Sequence, residues 1–330
     1  MKVFLCETIH PKAYEKLRRN AEIISDPSRA GEADALINRA LQIGRAELER
    51  MPSLKVIAIH GTGTDGVDLE EARRRGIRVV YAPHMNANSV AELNAALLLC
   101  VARKPVYARQ LIDAQHQAGS QQQSGAENQA CAQHQSGAQK MADVQKELMG
   151  TELRGKTAGL IGLGAVGTRT AEILRLGFGM DCIAWTPSLT PERAGRSGCV
   201  CAASMEEVFR KADALILSLP LNEDTRGLVS RERLSLMKKG AVLINTSRGG
   251  LVDEEALEEA LKSGRLGGAA SDVLREELPR AEHPLLKYPN FIVTPHIGMN
   301  TDEALYAVGM CCVDQILAVL EGREPAYPVI

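Results

Sequence analysis

The chain has 330 residues, 45% apolar and 24% charged, and 39 basic against 41 acidic side chains leave a net charge of −2. That length suggests about two domains, while near-neutral charge and 3% aromatic content argue against nucleic acid as a partner, which needs a basic surplus and base-stacking platforms. The longest apolar run, Ala95 to Ala102, is far short of a bilayer span, and Glu7 interrupts the amino terminus before any signal-peptide core, so the sequence implies no membrane partner and a cytoplasmic location.

In chain order, Lys2 to Cys6 reads as a strand, Pro11 to Arg19 as a helix opened by proline, and Ala35 to Ile37 as a buried strand. Leu54 to Ile59 is a β-branched run ending in His60-Gly61-Thr62-Gly63-Thr64-Asp65-Gly66, too rich in glycine to be regular. Ile77 to Tyr81 supplies another strand. Ser89 and Glu92 then stand at capping-box spacing, ahead of an apolar helix expected to run to about Arg103. Repeated alternation of strand and helix implies a parallel sheet with helices on both faces. Residues 114–143 depart from that pattern. They form five consecutive hexads, AQHQAG, SQQQSG, AENQAC, AQHQSG and AQKMAD, almost without apolar side chains larger than alanine before Met141. Such a segment cannot bury enough surface to fold alone. It is expected to be a surface insertion, either flexible or a solvated continuation of the preceding helix. No carboxylate or cysteine cluster of the kind a metal site needs accompanies His116 and His134, and no metal is expected.

From Gly155 the alternation returns. Strands are expected at Thr157 to Ile161, Cys182 to Trp185, Ala214 to Leu219, Ala241 to Asn245, Ala269 to Val273 and Phe291 to Val293. Helices are expected from Ala165 to Leu176, after the Thr190-Pro191 cap, after Ser204 with Glu207, after Asp253-Glu254-Glu255, and from Asp302 to Leu320. The eight cysteines show no paired C-x-x-C spacing and read as small hydrophobes.

The sharpest motif is Gly162-Leu163-Gly164-Ala165-Val166-Gly167, at the end of an apolar strand and the start of a helix. In that context the first glycine permits the tight turn and the second lets a pyrophosphate approach the backbone. The third allows close helix–strand packing, while the helix amides of Ala165 and Val166 attract the anion. Where an NAD-preferring site usually carries Asp or Glu, at the end of the next strand, this chain has Thr186, with Arg193 and Arg196 close by in sequence. NAD and NADP both remain candidate cofactors.

Seven segments in order resemble the D-isomer-specific 2-hydroxyacid dehydrogenase family: GTGTDGVDL (61–69), NANSVAEL (86–93), GKTAGLIGLGAVG (155–167), LPLNEDTRGLV (219–229), MKKGAVLINTSRGGLVDEEAL (237–257), SDVLREE (271–277) and TPHIG (294–298). The resemblance implies an α/β fold of two doubly wound parallel-sheet domains. A Rossmann NAD(P)-binding domain, 101–294, would be inserted into a flavodoxin-like substrate domain built from 1–100 and 295–330, with 114–143 as the insertion. By position, Arg248 matches the family's substrate-binding arginine, Glu277 its histidine-orienting acid and His296 its catalytic histidine. Pro220, Thr225, Thr246, Ser247, Asp272 and Gly298 would line the cofactor beside the glycine loop and Thr186, with Asp272 near the nicotinamide carboxamide. Family members are commonly homodimers.

The chemistry agrees with these assignments. Reducing a 2-oxo acid requires a cation for the carboxylate, a proton donor for the carbonyl oxygen, and a hydride. Arginine grips a carboxylate through two parallel bonds, histidine titrates in the useful range, and a neighbouring carboxylate keeps it protonated. Backbone amides of Thr62 and Gly63 would hold the other end of the substrate carboxylate. The expected function is interconversion of a small 2-oxo acid and its D-2-hydroxy acid. The alternative is a dinucleotide-sensing, corepressor-like interaction protein, since a corepressor in the family retains the same three residues.

Overall fold

In the computed structural model, residues 1–121, 141–276 and 278–330 are described. Most of the hexad segment, with Cys131 and His134, and the candidate acid Glu277 lie outside the described residues. The chain forms two compact units. One comprises Met1–Ala91, Pro220–Glu223 and Ile297–Ile330, the other Glu92–Leu219 and Asp224–His296.

The first unit is built on five parallel strands, β1 (Lys2–Leu5), β2 (Glu22–Ile24), β3 (Ala35–Asn38), β4 (Val56–Ile59) and β5 (Arg78–Tyr81). Their order, β2-β1-β3-β4-β5, is the flavodoxin-like doubly wound order. Successive side chains serve opposite faces. Val56 and Ala58 join the core under the helices Pro11–Asn20 and Asp302–Leu320, while Ile57 and Ile59 join the core with Leu48, Met51 and Ala72. A strand buried on both faces reads as a continuous apolar run, which is why β1, β3, β4 and β5 stand out in the sequence. By length and composition Asp302–Leu320 is apolar enough to cross a membrane. Here it is a core helix, with Val308, Cys312, Val313 and Ile316 wholly buried. The outer edge of β5 is closed by the chain end. The Val329 amide donates to the Val79 carbonyl at 2.7 Å, and the buried Gln315 amide bridges the Tyr81 carbonyl and the Tyr327 amide, each at 2.8 Å.

The second unit carries seven parallel strands: β6 (Thr157–Ile161), β7 (Asp181–Trp185), β8 (Val200–Cys201), β9 (Ala214–Leu217), β10 (Ala241–Asn245), β11 (Leu266–Ser271) and β12 (Phe291–Val293). The order is β12-β11-β10-β9-β6-β7-β8. This is the Rossmann arrangement extended by one strand. Its direction of winding reverses between β6 and β9, and ligands of open α/β sheets bind at the carboxyl ends of the strands at such a reversal.

Three local expectations are corrected. The helix after β5 starts at Ala87, not after Ser89, and runs to Arg103. Ser89 therefore lies inside it and forms no capping box; its hydroxyl is buried and donates to the Gly298 carbonyl at 2.6 Å. β11 begins at Leu266 rather than Ala269, because Gly267 and Gly268 hide its pattern. A Cβ on Gly268 would stand 2.6 Å from Val101 Cγ1 and 2.7 Å from the Asn290 carbonyl, so this strand position admits glycine alone. The short elements β2, β8, Arg45–Glu49, Leu69–Arg74 and Arg231–Leu236 carry too few periodic positions to stand out in sequence. The helix Pro105–Gln121 enters the hexad segment, and helical turns are described again over 141–147.

Candidate active site

The glycine loop lies at the carboxyl end of β6, beside the reversal. Gly162 has φ +97°, and a Cβ there would sit 2.0 Å from the Ser218 carbonyl oxygen; a Cβ on Gly167 would sit 2.3 Å from the Gly162 carbonyl oxygen. Both glycines are therefore required by packing. Gly164 differs. It is exposed, it caps the helix Ala165–Phe178, and a Cβ there would meet nothing within 4 Å. That open space, above the amides of Ala165 and Val166, fits a dinucleotide pyrophosphate.

At the end of β7, Thr186 is half-buried and its carbonyl accepts from the Leu189 amide at 3.0 Å. Arg193, on the helix Pro191–Arg196, donates from Nη2 to the carbonyl of Leu163 at 3.0 Å, so a guanidinium is tied to the glycine loop itself.

The carboxyl ends of β9, β10 and β11 are joined by side chains. Asn245 accepts from the Ser247 amide at 3.0 Å and donates to the Arg248 carbonyl at 2.9 Å, which folds the chain sharply after β10. Ser247 Oγ donates to the Leu217 carbonyl at 2.9 Å, and Thr246 Oγ1 donates to Asn94 Oδ1 at 2.8 Å. Arg248, half-buried, precedes the short turn Gly249–Leu251 and donates from Nη1 to the Ser247 carbonyl at 2.8 Å. A Cβ on Gly249 would lie 2.1 Å from the Leu274 carbonyl carbon, so the glycine after the arginine lets this turn press against the segment after β11.

In that segment Asp272 is buried, at 1% exposure. Its amide donates to the Asn245 carbonyl at 2.8 Å, its Oδ1 accepts from Thr294 Oγ1 at 2.5 Å, and its carbonyl accepts from the His296 amide at 2.8 Å. His296 is half-buried and adopts φ +53°, a left-handed conformation that a non-glycine residue adopts rarely and that clusters at functional sites. Arg248, Asp272 and His296 thus follow β10, β11 and β12 in turn, in the unit that carries the glycine loop.

The remaining candidates are distributed as follows. Thr225 lies in the second unit, its carbonyl accepting from the Leu228 amide at 3.1 Å, whereas the exposed Pro220 counts with the first. Thr62 and Gly63 follow β4 in the first unit, after a turn in which the Gly61 carbonyl accepts from the Ala82 amide at 2.9 Å. Gly298, also in the first unit, is held by Ser89. His60, just ahead of Thr62, is 2% exposed, and neither ring nitrogen has a hydrogen-bond partner among the described residues. Burial, with the charge of Arg39, pushes its pKa down to about 4. Asn94, Thr170, Asn245 and Thr294 were not foreseen. The available signal was a polar residue opening an apolar helical run, as Asn94 does.

A model of the family described as D-isomer specific 2-hydroxyacid dehydrogenase, NAD binding domain, matches residues 123–298. The chain is 37% identical over 293 residues to D-3-phosphoglycerate dehydrogenase of Methanocaldococcus jannaschii, covering 88% of this chain and 51% of that protein. It is 33% identical over 336 residues to glyoxylate reductase of Aeropyrum pernix, covering 98% and 94% respectively. The solved structure of the TT0316 protein of Thermus thermophilus matches with a TM-score of 0.80 at 37% identity, with both chains covered in full. The chain spans about half the length of the phosphoglycerate dehydrogenases it matches.

Proposed function

The chain belongs to the D-isomer-specific 2-hydroxyacid dehydrogenase family, and on that premise we propose that it interconverts a small 2-oxo acid and its D-2-hydroxy acid. The observation that carries the reading is the succession of Arg248, Asp272 and His296 on consecutive strand ends beside an open glycine loop. NAD(P)H, when bound, supplies the hydride that adds to the carbonyl carbon. Arg248 grips the substrate carboxylate bidentately, a geometry lysine cannot reproduce, and Thr62 and Gly63 are assigned to substrate binding by sequence position. His296 delivers the proton to the carbonyl oxygen in reduction and takes it back in oxidation, a role worth roughly 10²–10⁴-fold in rate. Glu277, assigned by sequence position, orients the imidazole. Asp272 orients the segment through the Thr294 and His296 bonds and would lie near the nicotinamide carboxamide. By sequence position, Pro220, Thr225, Thr246, Ser247 and Gly298 are assigned to cofactor binding.

The unit made from both chain ends acts as the substrate domain and the other as the cofactor domain. The cofactor is NAD or NADP. An uncharged Thr186 does not repel a 2′-phosphate, and the anchored Arg193 supplies a nearby positive charge, so NADPH is accepted. A cytoplasmic homodimer is part of the same reading, supported by the family resemblance.

The test is oxidation of NADH and of NADPH against glyoxylate, hydroxypyruvate, pyruvate and longer 2-oxo acids. Turnover should fall by at least about 10²-fold in His296→Ala with binding of dinucleotide retained. Loss of less than about tenfold in a folded variant refutes the histidine's role. No turnover across the panel, with tight dinucleotide binding, would favour a sensing protein instead.

A further inference from the structure

We propose that Asn94 is a positioning residue that commits the hydroxyl proton of Thr246 inward, so that Thr246 meets the cofactor only as a hydrogen-bond acceptor. The inference rests on the reading above, in which Thr246 lines the dinucleotide.

Asn94 is 1% exposed and both ends of its amide are used. Oδ1 accepts from Thr246 Oγ1 at 2.8 Å, and Nδ2 donates to Thr170 Oγ1 at 3.1 Å. Thr170 is itself wholly buried, on the helix opened by the glycine loop. The two bonds therefore tie the segment carrying Thr246, Ser247 and Arg248 to the helix that begins after Gly164. Ala95, Leu97, Leu98 and Val101 of the same helix as Asn94 are apolar core residues. A leucine at 94 would pack in that company without the desolvation an amide incurs. What the amide adds is direction. A hydroxyl has one proton and two lone pairs, and with the proton spent on Asn94 it has only acceptor capacity left. The cofactor group that Thr246 meets must then be a donor, a ribose hydroxyl or a carboxamide N–H. Ser247, next in sequence, is restrained in the same way by its bond to the Leu217 carbonyl.

The experiment measures dinucleotide affinity directly. Energy transfer from Trp185, the single tryptophan of the chain, to bound NADH reports the Kd. Asn94→Leu and Thr246→Val are each expected to weaken NADH by about fivefold, the usual size of one net hydrogen bond. The double variant should be no weaker than Thr246→Val alone, and Thr246→Ser should restore what Thr246→Val loses. Thr170→Val, which frees the far end of the amide, should move the Kd in the same direction by less. It stands in for Asn94→Leu if that variant does not fold. Additive losses in the double variant, or a lowered melting temperature with an unchanged Kd, would overturn the proposal and leave Asn94 a packing residue. A wild-type chain that binds neither NADH nor NADPH would instead refute the functional reading itself.

Discussion

His60 offers a perturbation whose size can be worked out from the structure. The ring is buried with both nitrogens unpartnered among the described residues, and its pKa lies at about 4 against an ordinary value of 6.5. In the folded chain it is therefore neutral, whereas in the unfolded chain it takes up a proton below about pH 6.5. The unfolded state binds more protons between these limits, so stability rises with pH across the window and is lost as pH falls through it. A difference of about 2.5 units at 1.36 kcal/mol each amounts to about 3 kcal/mol, most of it gone by about pH 4.5. His60→Leu removes the titration and two buried polar atoms together. At about pH 7.5 the variant should be as stable as the wild type or slightly more so. At about pH 4.5 it should exceed the wild type by about 2 kcal/mol or more. Urea unfolding of both proteins across this pH range, followed by circular dichroism, measures the difference in slope. Parallel pH dependence in the two proteins would refute the argument, as would an imidazole proton resonance titrating near the ordinary histidine value.

Substitutions at the site have equally definite outcomes. Gly164→Val should fold normally, since a Cβ there meets open space, yet weaken NADH by at least about tenfold, because pyrophosphate must approach that backbone. Gly162→Ala should cost roughly 3 kcal/mol or more, or fail to fold, since its Cβ would enter the Ser218 carbonyl at a φ of +97°; thermal melting separates the two glycines. Arg248→Lys should raise the KM for the 2-oxo acid roughly 10- to 100-fold, the size of lost charge-assisted bonds, with NADH affinity unchanged. Thr186→Asp should disfavour NADPH relative to NADH by roughly tenfold through like-charge repulsion, read from paired Kd values.

Much of the architecture was legible in the sequence because it rests on local signals. The strands of a parallel sheet are covered on both faces, so runs such as Val56–Ile59 and Ala214–Leu217 stand out, and Thr190, Ser204 and Asp253 cap the helices their positions suggested. Ser89 shows the limit of that logic. A serine three residues before a glutamate has the spacing of a cap, but the helix had already begun, and a buried carbonyl at Gly298 took the hydroxyl.

The sequence alone determined which groups this protein has for chemistry. A glycine loop between strand and helix, followed by Arg248, Glu277 and His296 in segments that resemble the family, was enough to suggest an acid–base reduction of a carboxylate-bearing carbonyl. Only the tertiary structure decided how those groups are held. The left-handed backbone of His296 and the seating of the turn after Arg248 against Leu274 depend on residues distant along the chain. So does the proton direction that Asn94 imposes on Thr246. Local propensity is written in neighbouring residues, whereas the orientation of a hydroxyl is set by whichever buried partner folding brings to it.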